Sequence, residues 1–135
     1  MSQFLPQSTE MNWLALTLLM TALLWVPYIL RLLAEMGPVK GLMDGEHATP
    51  VAAAWAQRAK RAHANAVENL VIFAPLVLAV EITGARSDMT ALAAQVYFWA
   101  RLVHYVVYVM GLPVVRTLAF AVGFLCQLAL VHALL

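Results

Sequence analysis

The sequence has 135 residues, of which 64% are hydrophobic and only 11% are charged. Soluble domains carry about 25% charged residues, so this composition excludes an ordinary soluble fold and indicates an integral membrane protein. The net charge of +1 gives no reason to expect a nucleic-acid partner. The single cysteine, Cys126, excludes an intramolecular disulfide and a multi-cysteine metal site.

Apolar stretches separated by short polar segments predict four membrane-spanning helices within one domain, since each span needs about 20 residues. The predicted helices cover residues 12–36, 51–83, 88–110 and 114–134. No basic segment precedes the first stretch, so we interpret it as a retained span rather than a cleaved signal peptide. Pro27 is expected to bend that helix, and Ser87 is expected to cap the third. The sequence therefore predicts an all-α four-helix bundle.

The second predicted helix would be roughly 50 Å long at 1.5 Å per residue, so its first half is expected to project toward water. Basic residues collect beside the first and third connections: Arg31, Lys40, Arg58, Lys60, Arg61 and Arg116. The second connection holds Arg86. By the positive-inside rule, the first and third connections are cytoplasmic and both chain termini lie on the opposite side.

Polar side chains share one face of each predicted helix near its basic end. Spacings of three and four residues place them together: Arg31 on the first helix, Arg58, Arg61, Asn65 and Glu68 on the second, Arg101, His104 and Tyr108 on the third, and Arg116 with Thr117 on the fourth. A charge such as Arg101 inside an apolar span costs at least about 2.5 kcal/mol unless it meets a partner or water.

These groups are predicted to converge on a cationic pocket that opens to the cytoplasm. Arginine forks bind carboxylates through paired hydrogen bonds, so the expected ligand is a small anion with more than one carboxylate. Glu68 would receive an ammonium group or restrain an arginine. The alternative is that these residues pair with one another, as Arg61 and Glu68 could, and only hold the helices together. The histidines have no metal-ligand spacing, and we expect no metal site.

The stretch "RAKRAHANAVEN" at residues 58–69 resembles the signature of the MAPEG family, the membrane-associated proteins of eicosanoid and glutathione metabolism. Arg58, Arg61, Asn65 and Glu68 match that signature in register. The third-helix stretch "ARLVHYVVY" and the stretch "LPVVRTLAF" at the fourth helix resemble the family's next two motifs, in the same order. The chain looks most like a bacterial member.

The resemblance implies a homotrimer with active sites between neighbouring subunits, and glutathione as cosubstrate. Binding of glutathione would fall to Arg31, Arg61, Asn65, Glu68, Arg101, His104 and Tyr108. Arg116 would stabilise the glutathione thiolate, and Thr117 stands where some members have a serine proposed to contact the sulfur. A bacterial member would lie in the inner membrane, with periplasmic termini and a cytoplasmic active site.

The function so implied is a glutathione-dependent transferase, and also a peroxidase, acting on hydrophobic electrophiles or lipid hydroperoxides. The family also contains a lipid-binding member without known chemistry, so the alternative is a non-catalytic lipid- or partner-binding protein of the same fold. A small transporter is disfavoured, because its polar residues would extend across the whole membrane.

Overall fold

The computed structural model describes residues 7–43 and 53–135, and the regular structure within these ranges is helical. The helices are α1 (Thr9–Leu23), α2 (Val26–Met36), α3 (Pro38–Met43), α4 (Ala54–Thr83), α5 (Asp88–Met110) and α6 (Pro113–Leu134). Residues 51 and 52, where the sequence predicted the second span to begin, lie outside the described residues.

The first predicted helix is divided into two, α1 and α2, which is a sharper change than the predicted bend. Pro27 has no backbone N–H, and its ring clashes with the carbonyl group four residues earlier, that of Leu23. Leu23 is the last residue of α1, and the Leu24 N–H turns to the Thr21 carbonyl at 3.3 Å. The proline therefore sits in the first turn of α2, where a missing N–H costs little.

Three stretches of the described residues are long and apolar enough to cross a membrane, namely Thr9–Met36, Ala54–Thr83 and Pro113–Leu134. The predicted third span, α5, has 23 residues and the bounds expected from the sequence. It is long enough to cross a membrane, but its polar side chains, including Arg101, make it less apolar than the three stretches above. A fourth span at α5 therefore stays a prediction.

Local sequence explains where α4 and α5 end and begin. Ser87 caps α5 as predicted: its hydroxyl accepts from the Thr90 N–H, and the Thr90 hydroxyl accepts from the Ser87 N–H. Gly84 ends α4 and Gly111 ends α5, each in the left-handed conformation that glycine adopts without penalty. These tight turns make α4, α5 and α6 antiparallel neighbours.

Helix α5 lies at the centre of the bundle and packs against α1, α4 and α6. One core cluster centres on Phe73 of α4 and Tyr97 of α5, whose rings stack with centroids 3.7 Å apart. A second cluster uses the buried alanines Ala59, Ala62 and Ala66, small side chains that let α4 approach its neighbours closely.

The antiparallel arrangement gives the bundle two polar ends. At what we call the Arg116 end lie the first half of α4, the last half of α5 and the start of α6. At the Glu10 end lie the start of α1, the end of α4 and the start of α5, joined through Glu10, Glu81 and Thr90.

Candidate functional site

A polar pocket of about 250 Å³ opens at the Arg116 end, between α4, α5 and α6. Its walls are Asn65 of α4, His104 and Tyr108 of α5, and Arg116, Thr117 and Phe120 of α6. Five of these six are residues that the sequence singled out, and three separate helices contribute them. The structure therefore brings together side chains that lie more than fifty residues apart in the chain.

Arg116 lies over the ring of Tyr108, with its guanidinium carbon 4.3 Å from the ring centroid. A cation at this distance is attracted by the negative face of the aromatic ring. No carboxylate in the described part of the chain forms an ion pair with Arg116. Its position in the first turn of α6 also brings it to the partially positive end of a helix, where a cation is unfavourable and an anion is favoured.

Thr117 lies next to Arg116 and is exposed. Its hydroxyl donates to the Pro113 carbonyl one turn earlier, at 2.9 Å. A threonine hydroxyl has a single proton, so in this rotamer Thr117 presents lone pairs to the pocket and no donor. It is therefore poorly arranged to stabilise a thiolate.

Arg101 and His104 are among the most deeply buried polar residues, with 2% and 3% of their surface exposed. Arg101 donates from Nη2 to the Asn65 Oδ1 atom at 2.6 Å, while its Nε has no hydrogen-bond partner. His104 packs edge-on against Tyr108, and its Nδ1 is likewise without a partner. Arg101 does not line the pocket itself; it contacts the pocket residue Asn65.

The remaining predicted binding residues lie outside this pocket. Arg61 and Glu68 are exposed on the outer face of α4, and Arg31 is exposed on α2. Arg31 pairs with Glu35 at 2.9 Å, and the other ion pair seen among the described residues joins Arg86 to Glu81. Arg61 and Glu68 thus do not form the mutual pair that the sequence left open.

Two neighbouring residues of the motif have structural contacts. The Arg58 Nε, on α4, donates to the Val109 carbonyl at 2.8 Å. It thereby gives a partner to one of the last carbonyl groups of α5, which have none within the helix. His63 is hydrogen-bonded to the Tyr28 hydroxyl at 2.8 Å and joins α4 to α2. The Arg58 contact therefore joins two helices of the pocket, and the His63 contact holds α2 against α4.

Sequence reasoning missed three residues of this region: Phe120, Asn69 and Gln127. Phe120 forms a pocket wall one turn after Arg116. Asn69 contacts Asn65 from the next turn of α4, and the buried Gln127 donates to the Asn69 carbonyl at 3.1 Å. The four-residue spacing from Asn65, and a glutamine within an apolar helix, were the signals that could have found them.

The donor set suits an anionic organic ligand better than a metal. Guanidinium, imidazole and amide groups predominate, and the described residues contain no cluster of three histidine, cysteine or acidic side chains that could hold an ion. Cys126 is buried in the core away from the pocket lining.

A family model matches the chain over residues 12–135, nearly its whole length, and that model describes the MAPEG family. The chain belongs to the MAPEG family. Together with the three stretches of the described residues that are long and apolar enough to cross a membrane, this makes it a membrane protein. No curated protein and no solved structure matches the sequence. MAPEG proteins use glutathione and include glutathione transferases. Glutathione is therefore the ligand with which the geometry of the pocket is compared below.

Proposed function

We propose that this MAPEG protein is a membrane-bound glutathione-dependent transferase, with peroxidase activity at the same site, acting on hydrophobic electrophiles or lipid hydroperoxides. The observation that carries the proposal is the Arg116 guanidinium. It is held on the Tyr108 ring at the edge of a polar pocket, without a carboxylate partner in the described chain.

Charge supports an anionic ligand. Arg101 is nearly fully buried and its contact in the bundle is a neutral amide oxygen, so its charge is left without a counter-ion among the described residues. A buried uncompensated charge costs several kcal/mol. Arg116 and the start of α6 add positive potential on the opposite wall. Glutathione has two carboxylates and an ionisable thiol, and would supply the missing negative charge.

The chemistry needs no protein nucleophile. The glutathione thiol has an ordinary pKa of about 8.5 and is mostly protonated at pH 7. A guanidinium beside the sulfur favours the thiolate, and the proton is released to water. In transfer, the sulfur forms a bond to the electrophilic carbon while the leaving group departs with its electron pair. In peroxidation, two glutathione molecules reduce a hydroperoxide to an alcohol and water and become the disulfide.

A homotrimer would complete the site. A pocket of about 250 Å³ is smaller than the roughly 300–1,000 Å³ of ordinary small-molecule sites, so one chain encloses only part of a tripeptide. Arg61 and Glu68 are exposed on the outer face of α4, and a charge on such a face is costly wherever that face meets lipid. A neighbouring subunit that covers this face would bring Arg61 and Glu68, and Arg31 beside them, to the edge of a shared site.

We further propose that the protein lies in a bacterial inner membrane with four spans, α5 being the fourth. Both chain termini would be periplasmic and the Arg116 end would face the cytoplasm, where glutathione is available. The exposed apolar side chains of α6, such as Leu118 and Phe124, would face lipid and the hydrophobic second substrate.

The test is the ultraviolet absorbance of the thiolate when glutathione is added to detergent-purified protein, followed by conjugation of a generic electrophile. Wild type should give both signals. Arg116→Ala should lose most of each, while Lys60→Ala, which removes one exposed charge outside the pocket, should retain them. Equal signals from Arg116→Ala and wild type would refute the role of Arg116.

The rival proposal is a non-catalytic lipid- or partner-binding protein, and the arrangement of Thr117, which turns its proton away from the pocket, favours it. Glutathione binding without thiolate or conjugation would support this rival. Chemical crosslinking separately tests the assembly: a ladder that ends at three copies is expected, and one that ends at two would contradict the trimer.

A further inference from the structure

The most constrained polar group of the pocket is the side-chain amide of Asn65. Its Oδ1 atom accepts from the Arg101 Nη2 at 2.6 Å and from the Asn69 Nδ2 at 3.3 Å. Arginine is a donor only, so the atom that faces Arg101 must be the amide oxygen. The direction of the Asn65 amide therefore follows from the identity of its neighbour.

Asn69 reinforces this direction from the next turn of α4. Its Nδ2 donates to the Asn65 backbone carbonyl at 2.9 Å, which holds the Asn69 amide group with its donors toward Asn65. The Asn65 oxygen is thereby occupied by two donors. The Asn65 amide nitrogen has no hydrogen-bond partner within the described residues, and Asn65 is part of the pocket wall.

We propose that Arg101 and Asn69 are positioning residues that act through Asn65, fixing its amide so that only N–H donors face the ligand. The inference rests on the proposed glutathione site and deepens it. The ligand atom that reaches Asn65 must be an acceptor, a carboxylate or peptide carbonyl oxygen or the thiolate sulfur, and an ammonium group is excluded from this position.

Asn69 offers a cleaner test of positioning than Arg101, because it is neutral and does not line the pocket. Asn69→Leu removes the donor and keeps a side chain that branches at Cγ, and Asn69→Gln keeps an amide donor. A lost hydrogen bond corresponds to roughly tenfold in affinity. Glutathione should therefore bind about tenfold more weakly to Asn69→Leu in isothermal titration calorimetry, and Asn69→Gln should recover most of that loss.

A double-mutant cycle separates positioning from general destabilisation. In the Asn65→Ala background, Asn69→Leu should cause no further loss of affinity, because the group it positions is absent. Gln127→Leu is the matched structural control, since Gln127 donates to the Asn69 backbone carbonyl and forms no hydrogen bond with the Asn65 side chain among the described residues. It should lower the melting temperature without the tenfold loss of affinity.

Additive losses in the cycle, or unchanged binding to Asn69→Leu, would overturn the positioning role. Asn65→Asp tests the polarity of the position: a carboxylate offers only acceptors, so it should weaken binding at least as much as Asn65→Ala. Retained binding by Asn65→Asp would overturn the donor assignment. Absence of glutathione binding to wild type would instead refute the proposed function, so the two failures are distinguishable.

Discussion

The two polar ends of the bundle differ in whether their buried polar groups have hydrogen-bond partners. At the Glu10 end, Glu10 is 3% exposed and accepts from the Thr90 hydroxyl at 2.5 Å, while Glu81 accepts from Ser8 at 2.7 Å. At the Arg116 end, the buried Arg101 and His104 each keep a nitrogen without a partner in the described chain.

Buried polar groups in proteins are normally hydrogen-bonded, and each exception calls for an explanation. At the Glu10 end the carboxylates of Glu10 and Glu81 each accept a hydrogen bond from a hydroxyl of another part of the bundle, and these contacts stabilise the fold. The unpartnered nitrogens of Arg101 and His104 lie next to the pocket and have hydrogen-bonding capacity that the bundle leaves unused. We therefore assign the Glu10 end to stability and the Arg116 end to binding, and the following substitutions test this division.

The largest effect is expected from Gly123→Leu. A Cβ atom at Gly123 would lie 3.5 Å from the Arg101 side chain and 3.8 Å from the Tyr97 ring, an ordinary contact distance. Alanine should therefore be tolerated, while the larger leucine should displace Arg101 and cost about 3 kcal/mol through overpacking. Thermal unfolding followed by circular dichroism would measure this cost. Near-equal stability of the alanine and leucine variants would show that Arg101 is not confined here.

Thr90→Val should have the next largest effect. It removes the hydroxyl that donates to Glu10 and accepts from the Ser87 N–H, leaving a buried carboxylate and a helix cap unsatisfied. We expect a loss of about 2 kcal/mol of unfolding free energy with unchanged affinity for glutathione. A variant that folds normally but binds glutathione poorly would break the division between the two ends.

Tyr108→Leu should have a smaller effect, confined to the Arg116 end. Loss of the ring removes the cation–π contact that holds Arg116, worth roughly 1 kcal/mol. The thiolate signal should fall about fivefold at subsaturating glutathione. Tyr108→Phe keeps the ring and should resemble wild type; an equal fall in both variants would assign the effect to the hydroxyl.

Thr117→Val should have the smallest effect. Its hydroxyl bonds to the Pro113 carbonyl of its own helix, so its loss should change the rate of conjugation by less than about twofold, equivalent to under 0.5 kcal/mol. A loss of tenfold or more would mean that the hydroxyl turns toward the sulfur during the reaction.

Much of the helical framework followed from local chemistry in the sequence. The bounds of α5, the Ser87 cap and the end of α4 near Thr83 depend on nearby residues, and the structure places them where the sequence predicted. Pro27 was expected to bend the first helix. The structure instead ends α1 at Leu23, whose carbonyl would clash with the proline ring, and begins α2 at Val26.

The site was less predictable, because a helical face specifies direction and not the partner helix. Asn65 and Arg61 share a face of α4 by spacing, yet Asn65 lines the pocket and Arg61 is exposed. Asn69 and Gln127 acquire their contacts through packing between α4 and α6, which periodicity on one helix does not reveal. Residues that a second subunit would cover are beyond prediction from one chain.

The most direct measurement compares the two ends with one substitution each. Glutathione is titrated by calorimetry into wild type, Arg116→Ala and Arg86→Ala. Each variant lacks one arginine, Arg116→Ala at the Arg116 end and Arg86→Ala at the Glu10 end. Arg86 pairs with Glu81 at 3.7 Å on the Glu10 side. We predict that Arg86→Ala binds as wild type does and that Arg116→Ala binds at least about tenfold more weakly, the loss of one charge-assisted contact. Equal affinity for all three, or equal loss from both variants, would contradict the assignment of the Arg116 end as the binding site.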